Sequence, residues 1–336
     1  MNRKMKPILF SLLVIPLLVL SACGSQNSSG KDVGKIVFAD PQWSSVELHN
    51  WIARTILEEG YGYETDVKTG STASTFLAFR QGDIDVYMEI WPLNIQDIYN
   101  KAIENGEIKQ VSVNYSDARQ GIFVPTYMLK GDPDRGIEPM APDLKSVKDL
   151  PKYWELFKDP SNPEKGRIIG SPTGWEADKV LRQKIKAYGL DKTYNYFSPG
   201  SQTALFTSLK KAYEAGEPWV GYMWGPTWVL GKYDMTLLQE PPFSEEVWKK
   251  SKACAWPQEE VSVAVNMEFA DKAPEVVDFL SNYHTSADLT NAALSYMEEN
   301  EAKPKDAAQW WLKKYKDIWT KWVPKDVAKK VEQSLQ

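Results

Sequence analysis

The alternation of short apolar runs with amphipathic stretches between residues 35 and 90 constrains this chain most. Lys35–Asp40 is strand-like and stops at Pro41. Ser44–Glu59 follows, with Val46, Trp51, Ile52, Thr55 and Ile56 near helical spacing and Gly60 as a stop. Tyr63–Lys68 reads as a second strand and Ser74–Arg80 as a short helix. Gly82-Asp83 then turns the chain into a third strand, Ile84–Ile90. Strand–helix–strand–helix–strand in so few residues predicts a parallel sheet with right-handed crossovers. Ligands of such sheets sit beyond the carboxyl ends of the strands. Pro41-Gln42-Trp43 and Glu89-Ile90-Trp91-Pro92 lie at two such ends.

The scheme repeats further on. Ile122–Leu129 is expected as a strand crossing into a second domain, and Gly131–Pro142 as loop. Ile168-Ile169 leads through a tight turn, Gly170 to Gly174, into a helix over Trp175–Tyr188. Gln202–Ala215 is amphipathic, and the strand Trp219–Trp224 stops at Gly225-Pro226. Val261–Asn266 alternates like a strand, and from Pro274 the pattern is helical with turns near Asn300 and Pro324. The expected architecture is α/β with two lobes and a ligand cleft between them. Residues 35–125 and 256–336 form one lobe and residues 126–255 the other.

The first residues are a processing signal, not part of the fold. Arg3, Lys4 and Lys6 precede an apolar run, Ile8–Leu20, too short to span a bilayer comfortably. The run ends in Leu20-Ser21-Ala22-Cys23, which resembles a bacterial lipobox. That resemblance implies a signal peptide over residues 1–22, a lipid on Cys23, and a flexible tether over residues 23–34. It also implies an extracytoplasmic protein anchored at the cell membrane. The formal charge is −5, or −8 without Arg3, Lys4 and Lys6. An acidic surface speaks against nucleic acid as a partner. With Cys23 lipidated only Cys254 remains, so no intrachain disulfide forms. His49 and His284 are the only histidines. Zinc sites and histidine-based triads are poorly supplied, and neither metal nor cofactor is expected.

The chain holds 14 tryptophans. Trp91, Trp175 and Trp224 each stand at or just past a strand end, in turn contexts beside Pro or Gly, and Trp43 shares that placement. Indole faces pointed into one cleft suit a quaternary ammonium, which has no N–H to donate but carries positive charge on a methyl surface. Each contact is worth roughly 0.5–2 kcal/mol. The competing reading of each ring is core packing. Trp154, Trp248, Trp310, Trp311, Trp319 and Trp322 lie in helical patterns and are read that way. Trp175-Glu176 opens a helix whose amides either cap the turn or hold a carboxylate. Glu89 is either a solvated carboxylate, a partner for an arginine, or an attraction for a cation.

Together these motifs resemble the glycine betaine/choline-type substrate-binding proteins of ABC importers. The match runs through Gly82-Asp83-Ile84-Asp85, Glu89-Ile90-Trp91-Pro92, Pro172-Thr173-Gly174-Trp175 and Met223-Trp224-Gly225-Pro226-Thr227-Trp228. The resemblance implies a type II binding-protein fold and an aromatic box of Trp91, Trp175 and Trp224 around a trimethylammonium group. It also implies a permease partner, and the protein is expected to act as a monomer. Histidines that hold the betaine carboxylate in parts of that family are replaced here by Asn94-Ile95 and Thr227. The ligand is therefore betaine held by amides at Gly174 to Glu176, or choline, carnitine, trimethylamine N-oxide or a sulfonium analogue. A sugar or peptide binder is the first rival. A glycosidase is the second, but Asp83, Asp85 and Glu89 lie on one strand rather than across a bond.

Overall fold

The computed structural model describes residues 33–336. The lipobox and most of the tether, including Cys23, lie outside the described residues. Ten strands occur among those described: β1 (Ile36–Asp40), β2 (Thr65–Thr69), β3 (Val86–Ile90), β4 (Ile108–Pro125), β5 (Lys158–Asp159), β6 (Asn162–Ile169), β7 (Tyr194–Phe197), β8 (Gly221–Gly225), β9 (Met235–Leu237) and β10 (Glu259–Asn266).

Two sheets share one long strand. In the first, β1 lies parallel between β2 and β3, with Phe38 opposite both Val67 and Val86. Strand β10 then runs antiparallel between β3 and β4. The crossovers are the helices Ser44–Thr55 and Thr72–Arg80, as the alternation predicts. In the second sheet β4 pairs antiparallel with β8 and β9, β8 is parallel to β6, and β6 is parallel to β7. Strand β4 changes sheets at one peptide bond: Ala118 pairs with Glu259 of β10, and Arg119 with Gly225 of β8. The chain returns to the first sheet at Glu259.

This corrects the expected strand over Ile122–Leu129. The strand begins at Ile108 and stops at Pro125, and Tyr127–Lys130 is a helical turn. Its first two thirds carry polar residues that blur alternation. Strand β10 holds the backbone over Ile108–Ala118, and β8 and β9 hold it over Arg119–Pro125, whatever the side chains.

Apolar side chains form three clusters. One lies beneath the helices Ser44–Thr55, Pro274–Asn282 and Pro304–Lys314, where Ile52, Trp311 and Trp319 are buried. A smaller one sits on the other face of the first sheet around Phe76, Phe79 and Tyr87. The largest fills the second lobe and continues across the lobe boundary to Trp43 and Trp91. The two lobes therefore touch. Thr72 N–H donates to Gly174 O at 3.1 Å, and Ser44 N–H donates to Gln202 Oε1 at 3.0 Å. No helix among the described residues is long and apolar enough to cross a membrane.

Candidate functional site

Four strand ends meet where the lobes touch. After β1, Asp40 Oδ1 accepts Gln42 N–H at 2.8 Å and holds Gln42 in the left-handed region at φ 71°. A side chain there costs about 1 kcal/mol, and the turn delivers Trp43 into the cleft at the start of its helix. After β3, Trp91 precedes Pro92, whose fixed φ opens a short 3₁₀ turn. After β6, Gly174 takes φ 100°, which other residues rarely adopt, and Trp175 follows as N-cap of the helix Glu176–Ala187. Trp224 lies within β8, just before the Gly225-Pro226 turn.

These rings border one cavity at the lobe boundary. Trp175 meets Trp43 edge-on at 5.4 Å and Trp224 edge-on at 5.0 Å. Trp224 in turn stacks on Tyr222 at 5.7 Å, with planes 19° apart. All four tryptophans are buried, between 4% and 9% exposed. Trp43 and Trp224 both stand nearly perpendicular to Trp175, so the rings border the cavity in different planes.

Glu89 organises the first-lobe half. Its Oε1 accepts from Trp43 Nε1 at 2.8 Å, Trp91 Nε1 at 3.0 Å, Ser45 Oγ at 2.9 Å and the Tyr115 hydroxyl at 2.8 Å. The carboxyl is wholly buried, yet Oε2 has no donor. Burial pushes its pKa up to about 7, against the pull of those four donors. Glu89 is thus neither solvated nor paired with arginine. It fixes two indole rings by their N–H groups, and its second oxygen is buried without a donor among the described residues.

Glu176 also borders the cavity, but its Oε1 pairs with Lys179 Nζ at 2.6 Å. Of the amides expected to face a carboxylate, that of Trp175 is taken: it donates to Pro172 O at 3.3 Å. Glu176 N–H and Ala177 N–H open the helix and have no carbonyl four residues back to bond. Among the described residues, no lysine, arginine or histidine borders the cavity.

All six residues singled out from sequence, Trp43, Glu89, Trp91, Trp175, Glu176 and Trp224, border this one cavity. Sequence reasoning missed Thr72, Tyr87, Asn94 and Tyr222, which also border it. Tyr222 was detectable, since residues two apart on a strand share a face and Trp224 had been singled out. Asn94 and Ile95, which the resemblance sets in the place of a histidine, both border the cavity. Thr227 does not border it: its hydroxyl donates to Trp224 O at 3.0 Å and serves the turn.

Known proteins share this arrangement of chain. Residues 34–314 match the family described as OpuAC, the substrate binding domain of ABC-type glycine betaine transport systems. The trimethylamine N-oxide-binding protein of Pelagibacter ubique (strain HTCC1062) is 23% identical over 319 residues, which cover 94% of this chain and 99% of that one. An ABC-transporter choline binding protein in complex with choline superposes with TM-score 0.72 at 21% identity, over 90% of this chain and 98% of that chain. Lactococcal OpuAC in its closed-liganded conformation with glycine betaine gives TM-score 0.68 at 19% identity, over 87% and 100%. These structures share the two-lobed binding-protein fold.

Proposed function

Because the chain belongs to the family of substrate-binding domains of ABC-type glycine betaine transport systems, we propose that it captures a small methylated onium compound between its lobes and delivers it to a membrane permease. Trp43, Trp91, Trp175 and Trp224 form the box around the methylated nitrogen, and Glu89 faces it with its unpartnered oxygen. Residues 35–125 with 256–336 make one lobe and residues 126–255 the other. Lipid on Cys23 keeps the protein at the outer face of the membrane.

One observation carries this reading: indoles from both lobes close around a cavity whose only buried charge-bearing group is a carboxyl with a free oxygen. Sugar binding would call for several free polar partners around the wall, and Glu89 Oε1, Asn94, Glu176 and the Tyr222 hydroxyl are already paired within the protein. Four faces at roughly 0.5–2 kcal/mol each supply several kcal/mol. After the costs of association this suits a dissociation constant on the order of micromolar. Ligand contacts that exist only when the lobes are together also give the closed form its preference.

The tail of the ligand is a separate matter. The relatives bind trimethylamine N-oxide, choline or glycine betaine, which share a methylated nitrogen and differ beyond it. With Glu89 and Glu176 on the wall and no cationic side chain, a full carboxylate finds only neutral donors: the amides of Glu176 and Ala177, Asn94 and Thr72. This favours choline or an N-oxide over glycine betaine. A protonated Glu89 donates to an N-oxide through Oε2, and an ionised one attracts choline.

Titration calorimetry of the full chain in detergent tests the proposal, with tetramethylammonium, choline, trimethylamine N-oxide, glycine betaine and a sugar panel. Micromolar binding of the methylated compounds and silence from the sugars is the expected result. Unchanged binding after alanine replaces Trp91, Trp175 and Trp224 in turn would sink the box.

A further inference from the structure

The box accounts for the methylated nitrogen. Behind the same wall runs a chain of hydrogen bonds that begins where the two segments linking the sheets lie side by side. Glu259, paired with Ala118 across that junction, is 5% exposed. Its Oε1 accepts Leu93 N–H at 2.7 Å, and its Oε2 accepts Gln120 Nε2 at 3.0 Å. Gln120 is thereby held with its oxygen turned the other way. That oxygen accepts the Tyr222 hydroxyl at 2.8 Å and Asn94 Nδ2 at 3.4 Å. Asn94 is fixed from its far side, because Oδ1 accepts the indole N–H of Trp256 at 3.1 Å. An indole N–H and a backbone N–H only donate, and an ionised carboxylate only accepts. The direction of every bond in the chain therefore follows from its ends. Tyr222 and Asn94, where it finishes, both border the cavity.

We infer that Glu259 is a positioning residue that decides ligand specificity: through Gln120 it sets which hydrogen-bond role Tyr222 offers to the tail of the ligand. This rests on the onium box being the binding site. With a carboxylate at position 259, the phenolic proton is turned inward to Gln120. The Tyr222 oxygen then has lone pairs to offer and no proton, so it suits a tail that donates, such as a hydroxyl. Glutamine in place of Glu259 reverses the chain. Its carbonyl stays on Leu93 N–H, and its amino group faces Gln120. Gln120 must turn its oxygen toward it and its amino group toward Tyr222, giving up the long bond from Asn94 Nδ2. The hydroxyl then accepts from Gln120 and its proton is released toward a tail that accepts, such as a carboxylate.

The test, run at about pH 9 so that Glu259 is ionised, compares three probes on the full chain in detergent: tetramethylammonium without a tail, choline with a donor tail, and glycine betaine with an acceptor tail. In Glu259→Gln the affinity ratio of glycine betaine to choline should rise about tenfold, the effect of one mismatched buried hydrogen bond. Tetramethylammonium should change less than about twofold. Gln120→Met removes the acceptor of the phenolic proton by another route. It should shift the ratio in the same direction, and adding Glu259→Gln to it should shift the ratio no further. An unchanged ratio in both single variants overturns the inference. So does an equal loss for all three probes, which marks a structural role at the junction. A wild-type protein that ignores tetramethylammonium removes the box itself, and is recognised by failing before any variant is made.

Discussion

Among the described residues, two places set indole rings beside a buried glutamate, and they differ in whether a cation is built in. In the second lobe the ammonium of Lys184 lies 4.1 Å from the ring centroid of Trp256 and 5.3 Å from that of Trp248. It donates to Glu240 Oε2 at 2.6 Å and to the Cys254 carbonyl. The Tyr188 hydroxyl donates to the same Glu240 oxygen at 2.6 Å. Lys184 is wholly buried, and burial lowers its pKa while Glu240 pulls it back up. At the lobe boundary the same kinds of groups, four tryptophans and a glutamate, border a cavity, and the glutamate keeps one oxygen unpartnered. The first cage carries its own cation on a covalent stem, so its cation is ordered once, on folding. The second, on the proposed reading, takes its cation from outside, and that cation is ordered on every binding event. The cages are neighbours: Trp256 lies 6.3 Å from Tyr222 and donates to Asn94, both on the cavity wall.

Removing the tethered cation should have the largest effect. Lys184→Met leaves Glu240 buried without its partner and should cost about 3–5 kcal/mol of stability, read as a lowered denaturation midpoint. Adding Glu240→Leu should recover most of that loss, because an apolar pair of similar volume replaces a buried ion pair at little cost. If Lys184→Met alone unfolds at the wild-type midpoint, the cage is not a structural counterpart of the box.

The same kind of damage at the lobe boundary should affect binding. Trp224→Leu removes a face that touches both Trp175 and Tyr222. The expected loss is about 2 kcal/mol, roughly thirtyfold in affinity for tetramethylammonium, measured by calorimetry on protein whose fold is verified by circular dichroism. A loss in stability with affinity intact would make Trp224 core, like Trp248.

Acidity separates the two carboxylates' roles next. The folded pKa of Glu89 is raised from its usual 4.5 to about 7 by burial, and that of Glu259 likewise. A raised carboxyl pKa contributes stability that is fully present below 4.5 and is lost as pH rises through 7. The ligand-free protein should therefore melt lower at pH 8 than at pH 5. Ionising Glu89 strengthens the attraction for a fixed cation, so tetramethylammonium affinity should rise across the same window, by about tenfold. Glu89→Gln should flatten that rise in binding. A wild-type affinity independent of pH would show that Glu89 does not change charge beside the ligand.

The smallest effect concerns how the box is held. Trp43→Phe keeps a ring but removes one of the donors to Glu89 Oε1. A loss of about 1 kcal/mol, some fivefold in affinity, should appear in the same calorimetric assay. No loss would leave the indole N–H with no role in fixing the ring.

Strand β1 and its two parallel neighbours were legible because apolar runs, spaced helices and turn residues agree locally. The same logic marked Trp91, Trp175 and Trp224, since a large ring beside Pro or Gly at a strand end is poorly placed for a core. Most of β4 was not legible. Asn114 and Gln120 look like loop residues until their partners are known: Asn114 Nδ2 donates to Met88 O at 3.2 Å, and Gln120 bridges Glu259 and Tyr222. Lys184 was equally opaque. It sits in an ordinary amphipathic helix, and the rings that cage it lie more than sixty positions away in the chain.

What the sequence determined by itself was local: where strands stop, where helices start, and which turns carry a tryptophan. These follow from short-range sterics and from the period of apolar residues, and both are written within a few neighbouring positions. What the tertiary structure decided was the state of the charged and polar groups. Glu89 is only a carboxylate in the sequence. In the fold its one oxygen meets Trp43, Ser45, Trp91 and Tyr115, and the other meets no protein group. Hydrogen-bond direction and desolvation depend on which distant segments arrive at a point, and only tertiary packing brings them there.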